Sequence, residues 1–420
     1  MKRMNRQQKE TVKRAVKWCV GGLVSAQAAT IGIVSAIDAH RKRRDPQSGT
    51  FPYLDPLKNS FREHEVTVYT FGDQLYSAQL EAIRSAEHHV YFENFIMKDD
   101  HIGNVFKNEL IEAAKRGVSV YIILDTWGNL NQPPSFRRYP PHPNLHVIRF
   151  PLIRPGIITG QARKKGRDHR KIICVDSKIG FVGGYNVGDL YAHHWRDTHI
   201  RIRGPQVWEL ENAFVDMWNL YRYKKIHPEL LDVGAGVWAP HLRAVTNTPA
   251  FNSYPVRALY LEAIDRASKN IWITMGYFIP DQGLKHALIQ AAKRGVDVRI
   301  LIPEFSNHIV ADWVGRPHYS ELLQNGIRIF RYRQAMVHAK TMTVDGIWST
   351  VGTTNIDRLS MAGNFEINME IFSSEMADSM EQIFRLDLTN ANELLLEQWE
   401  RRGKLSKLGE KLLGPLGPLL

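Results

Sequence analysis

Apolar and polar positions along this chain switch between a helical period and short apolar runs, and the switching occurs twice. Residues 80–96, LEAIRSAEHHVYFENFI, carry apolar side chains at helical spacing and then enter a strand-like run. Residues 105–125, VFKNELIEAAKRGVSVYIILD, repeat that order, with Gly117 at the helix end. The same units return as LEAIDRASKNIWITMGYFIP at 261–280 and LKHALIQAAKRGVDVRILIP at 284–303. The hexapeptide AAKRGV stands at both Ala113–Val118 and Ala291–Val296. Such an internal duplication predicts two similar α/β domains related by a pseudo-twofold axis. Strands alternating with helices predict a largely parallel sheet covered on both faces.

The flanking segments follow other patterns. Residues 1–45 begin basic and polar, then run uncharged from Trp18 to Ile37, and close on Arg41-Lys42-Arg43-Arg44. The run has the length of a bilayer span but contains Ser25, Gln27, Thr30 and Ser35. A membrane anchor at about 18–37, an interfacial helix and a signal segment all fit it. Basic residues on both sides leave its orientation open. The first α/β domain is expected over 52–223 and the second over 256–395. Between them, 224–255 is rich in Pro, Gly and Asn and reads as a linker or long surface loop. The tail, 396–420, is basic and leucine-rich, and suits an amphipathic helix lying on a membrane or on the body.

One stretch in each half carries the candidate chemistry. The first is GRDHRKIICVDSKIGFVGGYNVG, Gly166–Gly188, and the second MVHAKTMTVDGIWSTVGTTNIDR, Met336–Arg358. His169, Lys171, Asp176, Gly183 and Asn186 match His338, Lys340, Asp345, Gly352 and Asn355 in register. Asp197 and Glu366 extend the match, each 28 positions after its histidine. IICV and FVGG, like TMTV and STVG, read as β-hairpins around tight turns. His and Lys two apart on a strand face the same way. Asp176 lies five residues beyond Lys171, roughly 16 Å along an extended strand, and so does Asp345 beyond Lys340, which makes both turn residues. Gly183 and Gly352 would let the backbone approach a ligand closely, beside the returning Asn186 and Asn355.

A histidine, a lysine and an asparagine on one surface suit a tetrahedral anion such as a phosphodiester. Two copies supply one imidazole to attack phosphorus and one to protonate the leaving oxygen. Lysines can neutralise the developing charge, so no metal or other cofactor is expected. Asp197 and Glu366 are placed to accept an imidazole N–H and fix its tautomer. Composition narrows the partner. Lys and Arg number 55 against 43 Asp and Glu, which points to an anionic partner, nucleic acid or acidic membrane. Cys19 and Cys174 make neither a disulfide framework nor a zinc site. The pairs His88-His89 and His193-His194 lack metal-ligand spacing.

The paired motifs resemble those of the phospholipase D superfamily, whose members share an α-β-α sandwich domain. Within it the chain is similar to bacterial cardiolipin synthases, through WRDTHIRIRGP, GYFIPD, MVHAKTMTVDG and the terminal PLL, over about 66–420. The resemblance implies a membrane phosphatidyltransferase that joins two phosphatidylglycerol molecules through a phosphohistidine, releasing glycerol. It implies a catalytic set of His169, Lys171, Asp176, His338, Lys340 and Asp345, with His169 favoured as nucleophile. Asn186, Asn355, Gly183 and Gly352 would bind substrate. It implies no cofactor, no nucleic acid and no obligate protein partner, and a bacterial cell-membrane location. The alternatives are a phospholipase D using water or another alcohol, a nuclease of the superfamily, and an inactive lipid-binding scaffold. The chain departs from the family in reading NIDRLS after Asn355, in Asn94 where an aromatic is usual, and in having one apolar N-terminal run where many members have two.

Overall fold

A computed structural model of the chain describes residues 6–44, 47–152, 166–231 and 241–419. The N-terminal helix α1 covers Arg6–Arg44. The first half then contains β1 (Leu57–Phe61), β2 (His64–Tyr69), α2 (Gly72–Arg84), β3 (His89–Asn94), α3 (His101–Lys115), β4 (Ser119–Asp125) and β5 (Leu145–Phe150). It continues with β6 (Ile172–Val175), β7 (Ile179–Gly183), β8 (Trp195–Arg196), β9 (His199–Arg203) and α4 (Val207–Tyr221). The second half contains β10 (Leu242–Asn247), α5 (Pro255–Arg266), β11 (Asn270–Met275), α6 (Gln282–Lys293), β12 (Asp297–Pro303), α7 (Ile309–Gly315) and β13 (Arg328–Tyr332). It closes with β14 (Met336–Val337), β15 (Lys340–Val344), β16 (Trp348–Gly352), α8 (Arg358–Ala362), β17 (Glu366–Phe372), α9 (Ser374–Thr389), β18 (Ala391–Glu393) and α10 (Lys404–Leu413).

The duplication appears as one strand order used twice. The first sheet runs β1-β2-β9-β7-β6-β3-β4-β5 and the second β10-β17-β16-β15-β11-β12-β13-β18. Apart from β1 at one edge and β18 at the other, the orders coincide. AAKRGV recurs because it performs one task in both halves. Gly117 and Gly295 end α3 and α6 at φ of 100° and 91°, where a side chain would be strained. The preceding arginine then caps a neighbouring helix: Arg116 donates to the carbonyls of Ile83 and Arg84 in α2, and Arg294 to those of Ile264 and Asp265 in α5. Asp100 and Asp281 open α3 and α6 by accepting from the Gly103 and Leu284 N–H.

Two expectations are corrected. The sheets are mixed rather than largely parallel. Within the main sheets only β3-β4-β5 and β11-β12-β13 pair in parallel, each strand reaching its parallel neighbour by a crossover connection, which α3 supplies for β3-β4 and α6 for β11-β12. The motif hairpins β6-β7 and β15-β16 and the strands beyond them are antiparallel. The expected linker 224–255 also supplies the edge strand β10, which pairs antiparallel with β17 and buries Leu242. Its LRAVTN sequence, half exposed at an edge, lacks a strong alternating pattern. Residues 232–240 of that segment, like 1–5 and Leu420, lie outside the described residues.

The halves share a core. Val66, Ile172, Val182 and Ile200 of the first sheet cluster with Val351, Ile367 and Met369 of the second and with Met376 of α9. Across the same boundary Arg196 makes a buried bidentate pair with Asp387, at 2.9 and 2.6 Å. This joint brings the two motif hairpins together.

Candidate active site

Each motif hairpin is fixed first at its turn. Asp176 and Ser177 have φ of 52° and 55°, and Asp345 and Gly346 have 54° and 67°, as a tight hairpin turn of this twist requires. The Asp176 carboxylate accepts the backbone N–H of Glu87, His88 and His89, all at 2.8 Å. Asp345 does the same for Ser268, Lys269 and Asn270 at 2.7–3.0 Å. Partial burial would raise both carboxyls, but the backbone donors outweigh it and hold them below the ordinary aspartate value. Asp176 and Asp345 are therefore removed from the catalytic set. They tie the far end of each hairpin to the loop entering β3 or β11.

At the opposite end, the histidines and lysines of both copies meet. His169 Nδ1 lies 3.0 Å from Glu366, and His338 Nδ1 lies 2.7 Å from Asp197. The pairing is crosswise: each imidazole is held by the carboxylate of the other half. The backbone imposes it, since the His169 N–H donates to the Phe365 carbonyl and the His338 N–H to the Arg196 carbonyl. β14 and β8 pair in parallel at the same joint. Each carboxylate thus fixes the Nδ1–H tautomer and leaves Nε2 for chemistry.

Lys171 and Lys340 are buried beside them, and each donates to the carbonyl of its own motif histidine. Burial pushes the Lys171 ammonium down to about 7, with Glu366 opposing and the Lys340 charge adding to the fall. Burial likewise pushes Lys340 down to about 8. Burial lowers both histidines, His338 to about 3. Asp197 is held at about 2 because the Lys340 and His338 charges outweigh its own burial. Two crowded ammonium groups in a dry site favour the arrival of an anion. Asn186 and Asn355 are 3% exposed. Their Oδ1 atoms accept from the Ile96 and Tyr277 N–H, so their amide NH₂ groups remain as donors.

Gly183 and Gly352 serve packing rather than ligand approach, which corrects their assignment as substrate-binding. A Cβ on Gly183 would lie 2.5 Å from the His199 Cα, and one on Gly352 2.3 Å from the Asn368 Oδ1. Both glycines admit the neighbouring strand. Other contributors carried no isolated signal in the sequence. The Phe95 ring meets His169 edge-on at 5.1 Å, and Trp195 tilts against His338 at 4.9 Å. Thr353 and Asn364 both donate to Glu366. Among the described residues no cluster of three or more His, Cys, Asp or Glu has the arrangement to hold a metal ion.

A family model described as "Cardiolipin synthase, PLD-like domain" matches residues 80–218 and again 260–388. Cardiolipin synthase from Clostridium perfringens is 31% identical over 375 residues, covering 86% of this chain and 78% of the relative. Cardiolipin synthase 2 from Bacillus anthracis is 32% identical over 377 residues, covering 87% and 73%. Phosphatidylserine synthase from Haemophilus influenzae Rd KW20 shares the fold, with a TM-score of 0.66 at 12% identity over 90% of this chain and 98% of that one.

Proposed function

The chain belongs to the phospholipase D-like cardiolipin synthase family, and from that membership we propose that its crosswise site transfers a phosphatidyl group between two phosphatidylglycerol molecules. It is a phosphatidyltransferase, and the family acts on phospholipid in association with membranes. The observation that carries the mechanism is the pairing of His169 with Glu366 and of His338 with Asp197 around two buried lysines.

In the first step one imidazole Nε2 forms a bond to phosphorus as the glycerol oxygen leaves. The second imidazole enters this step as the imidazolium, favoured once the phosphodiester anion sits against the lysines. It gives the glycerol oxygen its Nε2 proton and becomes neutral, and free glycerol departs. In the second step a hydroxyl of another phosphatidylglycerol loses its proton to the second imidazole and attacks phosphorus. The N–P bond breaks, and cardiolipin and the free imidazole result. Lys171, Lys340, Asn186 and Asn355 hold the non-bridging oxygens, on which charge grows in both steps. Asp197 and Glu366 orient the rings and stabilise whichever imidazolium forms. His169 is our choice of nucleophile. The apolar and basic N-terminal segment supports placing the protein at a bacterial cell membrane.

The test is product stoichiometry. Given phosphatidylglycerol alone, the protein should release cardiolipin and glycerol in equal amounts. Phosphatidic acid without cardiolipin would make water the acceptor and replace this reading with a hydrolase.

A further inference from the structure

Although α1 over Gly21–Arg44 contains a stretch apolar and long enough, by length and composition, to cross a bilayer, the helix is packed along the body. Its inward stripe is Gln27, Thr30, Ile31, Val34, Asp38 and Arg41. Gln27 donates to the Leu412 carbonyl at 3.1 Å, and Val34 packs with Ile279, Val314 and Leu413. The Arg41 guanidinium stacks 3.8 Å from the Phe305 ring centre. From Gln27 to Arg41 this attachment runs about 21 Å at 1.5 Å per residue. What remains of the apolar run, residues 18–26, is about 13 Å long, against a hydrocarbon core of about 30 Å. A helix so attached cannot cross a membrane without carrying its polar body inside.

Its partner in this packing is α10. Gly409 brings the two together, since a Cβ there would lie 2.9 Å from the Trp313 ring and 3.7 Å from the Thr30 methyl. Both helices leave apolar side chains in water. On α1 these are Leu23, Val24, Ile33 and Ile37. On α10 they are Leu405, 86% exposed, and Leu408, 53% exposed. Exposed basic groups border them: Lys42, Arg43 and Arg44 on α1, and Lys404, Lys407 and Lys411 on α10. Apolar side chains rimmed by lysine and arginine fit the headgroup–acyl boundary of an anionic bilayer.

The pair also lies near the catalytic end of the second sheet. Ile279, which Val34 covers, follows β11, whose last residue Met275 pairs with Lys340. The Ile279 N–H donates to the Ile356 carbonyl, next to Asn355.

We infer that α1 and α10 together form an in-plane docking surface that rests on anionic lipid beside the active site, and that α1 does not span the membrane. The inference rests on the phosphatidyltransferase reading only in taking phospholipid bilayer as the surface met. The test floats the full-length protein with vesicles of phosphatidylglycerol and phosphatidylcholine, and with phosphatidylcholine alone. The wild type should float with the anionic vesicles, bind neutral ones at least tenfold less, and be released by alkaline carbonate. Leu405→Glu/Leu408→Glu and Ile33→Glu/Ile37→Glu should each weaken binding at least tenfold. Both should retain the wild-type melting temperature and full turnover in detergent–lipid mixed micelles.

Carbonate-resistant membrane association would mean that α1 spans, and would overturn the inference. So would unchanged vesicle binding in both variants, equal binding to neutral vesicles, or a lipid-free dimer that the substitutions dissociate. Absence of cardiolipin synthesis by the wild type in micelles would reject the functional reading and leave the docking result standing.

Discussion

Gly184 and Thr353 stand at equivalent places, two residues before Asn186 and Asn355, yet they serve the two carboxylates differently. A Cβ on Gly184 would lie 2.1 Å from an oxygen of Asp197, so only glycine leaves that short carboxylate room to reach His338. In the other half the longer Glu366 reaches His169 and takes a hydrogen bond from the Thr353 hydroxyl. Gly184→Ala should displace Asp197 and cut kcat by about 10²-fold, the usual cost of a misplacement near 1 Å. KM should change little, since the lysines and asparagines stay in place. A kcat within threefold of wild type would show that Asp197 does not position His338. The lysines make a second prediction. Charged ammonium groups are present below the values of about 7 for Lys171 and about 8 for Lys340, and are lost above them. Because kcat/KM reports the free enzyme, it should fall as pH rises through this window. In Lys340→Arg activity should drop, but the part of that limb due to position 340 should vanish, because arginine stays charged. A flat profile from pH 6 to 9 in the wild type would contradict the lysine assignment.

The hairpin is the element on which the site depends, and its turn aspartates belong to stability. Asp176→Asn should lower stability by about 2 kcal/mol at neutral pH, the scale of hydrogen bonds made to a charged group. Turnover of the folded variant should stay within threefold. The sign follows from its depressed folded pKa: the stabilisation is full above the unfolded carboxyl value of about 3.9 and is lost as pH falls through the lower folded value. Wild type and variant should therefore converge in melting temperature on acidification; a constant difference would contradict the role. This much of the element was legible beforehand, because four strand residues, Ile172–Val175, separate Asp176 from Lys171 by a distance no local rearrangement closes. The strand order was less legible. Helix-to-strand alternation is visible in 80–125 and 261–303, whereas β10 hides in a polar edge segment and the antiparallel strands follow from tertiary pairing. Gly183 and Gly352 were readable as close-approach positions, but not as the place where the neighbouring strand, rather than a ligand, comes near.

At the scale of the molecule, the duplication supplies one site because each half completes the other. The 28-residue offset from His169 to Asp197, and from His338 to Glu366, suggested an acid for each histidine. Only the packing of the two sheets assigns that acid to the opposite half, and no spacing within one copy could convey it. The joint that enforces this is built from the shared apolar cluster and the buried Arg196–Asp387 pair. The arrangement requires both histidines, one to carry the phosphatidyl group and one to move the proton. The most direct measurement is turnover of phosphatidylglycerol by wild type, His169→Ala and His338→Ala, with melting temperatures recorded in parallel. Both variants should fold normally and lose at least about 10³-fold in rate, as expected when a nucleophile or its acid–base partner is removed. Near-normal turnover in either one would contradict a single site assembled from both halves.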